Sequence, residues 1–430
     1  MRQLFTSKQL TVVGTNHKHS PVSIREKLSC ANGSKHVRLL AVIDTCKGIS
    51  EAVILSTCNR TEVYVISTVE ADAAAQVTSL MSKWSGIPTE ELSEQVYTFH
   101  DNEAVKHLFT VAAGLDSLVL GEQQIQEQVK IAAREAADIG TTGRILPELF
   151  QRAYRTATRV RKETGIGLDG GSISSAAVTL LKTISQKDPI QTILLIGAGK
   201  MMNLAATDLS SLANQIWVTN RTTERAAVLA ERVDGKLLPF DQIQNSLHQF
   251  DAILCFTSSS DHLISATDLK RAVGKCKNHR LILIDASVPR NFDPESAKIP
   301  GIQLYNIDDL AAHVTDHVSS QNRILKAGSL IEEEVEDFEA HARIYNVNDT
   351  LKNLRSMAEE IRANELSKAL MRMHNASERD KQIMDLLTRR IINKLLHEPT
   401  ARLKEHASNG DGESYEAIIR ELFAMGQQKQ

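Results

Sequence analysis

Aromatic side chains are scarce, at 4% of the 430 residues, while 24% are charged. That balance fits a helix-rich soluble chain. The five cysteines (Cys30, Cys46, Cys58, Cys255, Cys276) are an odd number, scattered, with no C-x-x-C spacing. This argues against a disulfide framework or a zinc site and points to a reducing cytoplasm. No apolar run approaches a membrane span, and residues 1–10 lack the apolar core of a signal peptide. The expectation is a cytoplasmic protein with no membrane association. Net charge is only −3, so no global field attracts nucleic acid or anionic lipid. A polyanionic partner would need a local basic patch.

What is present is length for about two to four domains. Residues 9–16 read as a strand and 21–28 as a helix start with proline in its first turn. Two β-branched runs, 51–57 and 61–67, flank a tight turn that would carry Cys58 and Arg60. From 101 to about 162 the pattern is helical, with Ala104, His107, Leu108 and Val111 on one stripe. The first lobe is therefore α+β. Glycines 165, 167, 170 and 171 mark a boundary. Strand signals then alternate with helices at 193–196, 216–219, 252–256, 281–285 and 302–305, which predicts a doubly wound, Rossmann-type parallel sheet. Beyond 320 only amphipathic helices are expected, with a polar loop at 408–414. Their apolar stripes run through Ile331, Val335, Phe338 and Ala342; Leu351, Leu354, Ala358 and Ile361; and Ile383, Leu387, Ile391 and Leu395. Such helices bury too little alone and usually find a partner, often in a second copy. The expected domains are 1–165, 166–320 and an all-helical 321–430.

Gly197-Ala198-Gly199 follows an apolar strand and opens a helix, so backbone amides there can hold a pyrophosphate. Met202 stands where the third glycine of the usual pattern would be. The expected cofactor contacts are Gly197, Ala198, Gly199, Lys200, Met201 and Met202, then Asn220, Arg221 and Thr222 after the next strand. An arginine at that strand end matches a 2′-phosphate and favours NADPH; a solvated arginine at a helix start is the alternative. Thr257, Ser258 and Ser259 would face the ribose and nicotinamide. Cys58 leaves a strand beside Arg60, whose charge would lower the thiol pKa and favour the thiolate. The other cysteines read as packing. His17 and His19 could face one way on a strand, but no third metal ligand is near. His107 is the better acid–base candidate.

The chain resembles the glutamyl-tRNA reductases. The resemblance rests on Gly14-Thr15-Asn16-His17-Lys18, Ser56 to Glu62, Gly114 to Glu122, Gln124-Ile125 with Gln128-Val129-Lys130, Asn220-Arg221-Thr222, and Asp285 with Val288-Pro289-Arg290. It implies Cys58 as nucleophile and His107 as a histidine required for activity. It implies a substrate site of Thr57, Asn59, Arg60, Ser117, Glu122, Gln123, Gln124 and Gln128, in which Arg60 suits a carboxylate and Glu122 an α-ammonium. Gln123 departs from the proline or small or acidic residue relatives often carry, and Glu127 from their glycine. The implied reaction is NADPH-dependent reduction of glutamyl-tRNA(Glu) to glutamate-1-semialdehyde through a Cys58 thioester, the first step toward tetrapyrroles.

The implied partners are charged tRNA(Glu), a second copy of the chain in a V-shaped dimer, and a glutamate-1-semialdehyde aminomutase as candidate recipient of the aldehyde. Arg152, Arg155, Arg159, Arg161 and Lys162 form a stripe suited to tRNA phosphates, or equally a solvated helix face. Two rival readings are a shikimate-type NADPH dehydrogenase, which leaves the Cys58 turn unexplained, and a non-catalytic tRNA-binding protein.

Overall fold

The computed structural model describes all residues except 1–3, 6, 31–39, 41–42, 44, 168–171, 258–261, 276–279, 312–319, 374–376 and 426–430. Ser258, Ser259, Cys276 and the boundary residues Leu168 to Gly171 therefore lie outside the described residues.

The first lobe is built on a four-stranded sheet of β1 (Lys8–Asn16), β2 (Ile49–Ser56), β3 (Arg60–Thr68) and β4 (Tyr97–His100), in the order β2-β3-β1-β4. β2 and β3 form an antiparallel hairpin closing at the Ser56–Thr61 pair, so Cys58 falls at its turn as expected. β3 is buried along nearly its whole length, because helices cover the sheet. They are α1 (Val22–Leu28), α2 (Ala73–Ser85), α3 (Asp101–Ala112), α4 (Gln123–Ile139) and α5 (Ile145–Thr164). On α5 the apolar residues Leu146, Leu149, Phe150, Ala153, Ala157 and Val160 recur at helical spacing and are all buried. The first turn of α5 is capped from a distance. Glu51 on β2 accepts the backbone N–H groups of Arg144 (3.0 Å), Ile145 (3.1 Å) and Leu146 (2.8 Å), satisfying donors that a helix start leaves open.

The second sheet is six-stranded and parallel: β5 (Thr192–Ile196), β6 (Gln215–Thr219), β7 (Lys236–Leu237), β8 (Ala252–Cys255), β9 (Leu281–Asp285) and β10 (Ile302–Asn306). Its order is β10-β9-β8-β5-β6-β7. The direction of winding reverses between β5 and β8, which is where such sheets open a crevice at their carboxyl ends. Alternate side chains feed two apolar layers. Ile193, Leu195, Val218, Leu254 and Ile284 point into one; Leu194, Ile196, Ile253, Cys255 and Leu283 point into the other. Helices α6 (Ile173–Lys187), α7 (Lys200–Leu209), α8 (Thr223–Arg232) and α9 (Ala266–Lys275) complete the described part of the layers. Cys255 is fully buried, in keeping with a packing role.

The chain divides into two compact units. Residues 10–331 form one, containing both sheets; residues 1–9 with 332–430 form the other. The helices of this second unit are the end of α10 (Ser320–Asn346), α11 (Asn348–Arg372), α12 (Glu378–Asn409) and α13 (Gly412–Leu422). Leu351, Leu354, Ala358, Leu396, Leu403 and Ala407 form its core. The stripe at 383, 387, 391 and 395 stays outside that core. Ile383, Leu387, Ile391 and Leu395 are 53–65% exposed, as is Ile361 at 55%, which is a face too apolar to leave in water over such a length. The polar loop expected at 408–414 is much shorter. α12 runs to Asn409, Gly410 takes a left-handed φ of 96°, and α13 starts at Gly412. A single left-handed glycine suffices to turn the chain between two helices.

Candidate active site

The turn that carries Cys58 is tied from within and from outside. Thr57 Oγ1 accepts the backbone N–H of Asn59 (3.1 Å) and of Arg60 (3.2 Å). Thr57 N donates to Arg60 O at 2.8 Å, and His17 N donates to Asn59 O at 3.1 Å. Arg25 on α1 donates from Nη1 to the Cys58 carbonyl at 3.1 Å. Asn59 Oδ1 is buried without a hydrogen-bond partner among the described residues. The Cys58 side chain is half-buried and packs against the apolar cluster of the parallel sheet, where Leu118, Ala198 and Met201 also lie. Thiol and glycine turn thus border one apolar cluster.

The thiol is not the ready thiolate expected. Burial, reinforced by the charge of Glu122, pushes the Cys58 thiol up to about 12, against the weaker opposing pull of Arg25 and Arg60. Arg60 is a poor activator because its charge is already neutralised. It is 1% exposed, donates from Nη1 to Glu62 Oε1 at 2.7 Å, and binds Asp116 through Nη2, at 3.0 Å to Oδ2. Lys18 Nζ pairs with the same Asp116 at 2.5 Å. A substrate carboxylate at Arg60 therefore has to displace Asp116.

Glu62 is the hub of this network. Fully buried, it accepts from Arg60, from Tyr64 Oη (2.6 Å) and from Tyr97 Oη (2.5 Å), and it contacts His107 Nε2 at 2.9 Å. Burial alone would raise its pKa, but His107, Arg60 and these hydrogen bonds hold the carboxyl well below the usual range. His107 reaches the Cys58 turn indirectly, through Glu62 and Arg60. The His107 ring also borders a cavity of about 510 Å³ lined in part by Asn16, His19, Tyr97, Phe99 and Asp116. His17 and His19 lie in the turn after β1 rather than on it. Burial first of all lowers His17 to about 4, so it stays neutral. His19 Nδ1 sits 2.9 Å from Asn16 Oδ1.

The other expected substrate residues line the approach to α4. Ser117 is in the half-buried loop before it, Glu122 is its N-cap, and Gln123, Gln124 and Gln128 occupy its first two turns; Gln123 is the exposed one. Burial raises the Glu122 carboxyl, with Arg161 and Arg60 opposing. Glu122→Gln removes a negative charge that disfavours the thiolate. It is expected to speed alkylation of Cys58 by iodoacetamide at pH 8 by up to about tenfold; an unchanged rate would show that Glu122 does not govern the thiol. The loop is shaped by glycine. Gly121, at φ +76°, has room for no side chain: a Cβ would lie 2.6 Å from Gly167 N, and one on Gly167 would lie 2.2 Å from Gly121 O. Gly121→Ala is expected to cost about 2–3 kcal/mol from backbone strain and this clash, read as a lowered urea midpoint. A shift below about 0.5 kcal/mol would mean that the loop relaxes freely.

At the carboxyl edge of the parallel sheet, Gly197 has φ +109°, and a Cβ there would meet Phe256 O at 2.5 Å. Gly199, exposed and with open space where its side chain would be, precedes α7, whose first N–H groups have no intrahelical partner. Asn203 Nδ2 holds the turn by donating to Ala198 O (3.1 Å) and Gly199 O (2.9 Å). Met202 is fully buried beneath it, while Lys200 is exposed and Met201 half-buried. Asn220, Arg221 and Thr222 follow β6, with Arg221 and Thr222 exposed and Thr222 at the start of α8. These residues fit a dinucleotide: backbone donors for a pyrophosphate, a cradle with no Cβ, and a guanidinium at the ribose position.

Three family profiles match in tandem. That of the glutamyl-tRNA(Glu) reductase N-terminal domain covers residues 13–164, shikimate/quinate 5-dehydrogenase 179–313, and the glutamyl-tRNA(Glu) reductase dimerisation domain 326–425. The glutamyl-tRNA reductase of Carboxydothermus hydrogenoformans is 39% identical over 97% of this chain and 93% of its own length. That of Geobacter sulfurreducens is 38% identical over 97% and 96%. The chain belongs to the glutamyl-tRNA reductase family. A solved glutamyl-tRNA reductase from Methanopyrus kandleri covers 95% of this chain and 98% of its own at 28% identity, with a TM-score of 0.47.

Against the reductase pattern, the structure adds residues that sequence reasoning passed over. Arg25, Asp116 and Tyr97 all touch the Cys58–Arg60–Glu62 network. The Gly114–Glu122 motif already contained Asp116, but nothing in its spacing tied it to Arg60. The basic stripe is also narrower than expected. Arg161 turns inward to Gln126 Oε1 and to Glu122 O, the latter at 2.9 Å, and Arg159 pairs with Glu163 at 2.9 Å. Arg155 and Lys162 remain exposed.

Proposed function

We propose that the chain reduces the glutamyl ester of tRNA(Glu) to glutamate-1-semialdehyde with NADPH, Cys58 carrying the glutamyl group between the two half-reactions. The observation that carries this reading is the packing of Cys58 into the apolar cluster that also takes in Ala198 and Met201 of the glycine turn. A half-buried thiol and a dinucleotide cradle that border one apolar cluster suit acyl capture followed by reduction where water is scarce.

Cys58 gives up its thiol proton to solvent as it attacks the ester carbonyl carbon, the bond to the ribose oxygen breaks, and His107 protonates that oxygen. The α-ammonium of the substrate pairs with Glu122, which also removes a charge that disfavours the thiolate. A glutamyl carboxylate takes Arg60 Nη2 as Asp116 retreats to Lys18. Gly197, Ala198 and Gly199, with Arg221 for a 2′-phosphate, would hold NADPH, which would supply a hydride to the acyl carbon. Once that carbon is reduced, the carbon–sulfur bond breaks to leave the aldehyde, and the departing thiolate takes up a proton from solvent to restore the thiol. Residues 1–165, 166–320 and 321–430 serve substrate, cofactor and dimer in turn. The exposed stripe of Ile383, Leu387, Ile391 and Leu395 supports a homodimer. No helix among the described residues is long and apolar enough to cross a membrane. The proposed setting is the cytoplasm, with an aminomutase as recipient of the aldehyde.

The test is to incubate the protein with radiolabelled glutamyl-tRNA and no NADPH. The expected result is label on Cys58 that hydroxylamine releases and ribonuclease pretreatment prevents. Label-free protein that still oxidises NADPH would overturn the thioester route.

A further inference from the structure

Val288-Pro289-Arg290 and the Arg25-Glu26 pair of α1 have no part in the reaction as described, yet they meet. Arg290 reaches Glu26 with a fork of two hydrogen bonds, Nε to Oε2 at 2.9 Å and Nη2 to Oε1 at 2.6 Å, and its backbone N adds a third at 3.3 Å. The loop presenting Arg290 is staked at its base. Asp285, buried at the end of β9, accepts N–H groups from Ser287 (3.1 Å), Asn291 (2.7 Å) and Phe292 (2.9 Å). β9 lies beside β8 and one strand from β5, so Arg290 stands at the same sheet edge as the glycine turn. One residue earlier on α1, Arg25 is 2% exposed and spans three structures. It donates to Ser20 O (3.2 Å), to the Cys58 carbonyl (3.1 Å), and to the Asp308 carboxylate of the parallel-sheet lobe.

We infer that Arg25, Glu26, Arg290 and Asp308 form a two-point ionic clasp that seats the Cys58 turn against the cofactor lobe for the hydride step. The inference rests on the proposed thioester route. It makes these four positioning residues. A bidentate carboxylate–guanidinium fork fixes direction as well as distance. Arg25 transmits that direction to the nucleophile through the Cys58 carbonyl. The Glu26–Arg290 fork contributes nothing to capture of the acyl group, which needs only the first lobe. It matters when carbon and hydride donor, held by different lobes, must come within bonding range.

The separation of half-reactions makes a clean test on the full-length protein. Glu26→Arg and Arg290→Glu are each expected to form the Cys58 thioester from glutamyl-tRNA at wild-type rates without NADPH. Reduction of that preformed thioester on adding NADPH is expected to slow on the order of 10²-fold, the effect of a misplaced reacting pair. The double swap, Glu26→Arg with Arg290→Glu, restores the fork with reversed polarity and is expected to recover most of the lost rate. Single variants that reduce the thioester at wild-type rates would overturn the clasp, as would equal loss in both half-reactions or a double variant no faster than the singles. Failure of wild-type protein to form the thioester would instead overturn the proposed function.

Discussion

Replacement of Cys58 by serine is expected to lower semialdehyde formation on the order of 10⁴-fold or more, in line with the removal of other covalent nucleophiles. Serine is nearly isosteric, so the half-buried packing of the turn survives. Stability should stay within about 1 kcal/mol of wild type. What disappears is the thioester. A hydroxyl, far less acidic than even this buried thiol, gives an oxygen ester that is a much poorer hydride acceptor. Single-turnover assays with charged tRNA, with and without NADPH, check both halves. Retention of a tenth of the activity would require an intermediate attached elsewhere.

Glu62→Gln is expected to have the largest effect on stability. Glu62 is 0% exposed and sits against Arg60, which is 1% exposed. Removing its charge leaves a buried guanidinium with Asp116 as its remaining carboxylate, and loss of one partner from a buried pair costs about 3–5 kcal/mol. The pH dependence has a definite sign. The folded-state pKa of Glu62 is depressed. Its stabilising contribution is therefore complete above the unfolded carboxyl value of about 4.3. It is lost as pH falls from there through the much lower folded value. Wild-type unfolding free energy should drop across that acidic window, and Glu62→Gln should flatten the drop. Urea titrations between pH 3 and 7 decide it. Parallel curves would mean that Glu62 is not ionised in the folded protein.

The sequence carries the fold where periodicity is long and regular. The alternation of β5, β6, β8, β9 and β10 with helices and the stripe of Ala104, Leu108 and Val111 on α3 were readable because each repeats one burial pattern, whereas β7, two exposed residues, was not. β4 was not, since Tyr97-Thr98-Phe99-His100 is only four residues long and is fixed by pairing with β1. It runs straight into Asp101, whose φ is +46° and whose carboxyl accepts Leu10 N at 3.2 Å. The cap that Glu51 gives α5 spans more than ninety residues of chain, and no local signal announces it. The same limit applies at the site. Cys58 and the glycine turn are legible because a strand-end thiol and a strand–glycine–helix run are local patterns. The state of the thiol is not, because it depends on burial and on Glu122. Nor is the engagement of Arg60, because Asp116 comes from a loop fifty-six residues away. A cation next to a cysteine in sequence predicts activation only if that cation is not already neutralised.

The contact of Gly121 with Gly167 reaches beyond local sterics. One belongs to the strip that would grip the glutamyl group and the other to the stretch leading into α6 and the parallel sheet. With backbone on backbone and no side chain to yield, the peptide at 167 cannot swivel without pushing the peptide at 121. A change at either glycine is therefore felt on both sides of the contact, in the loop before α4 and in the segment after α5.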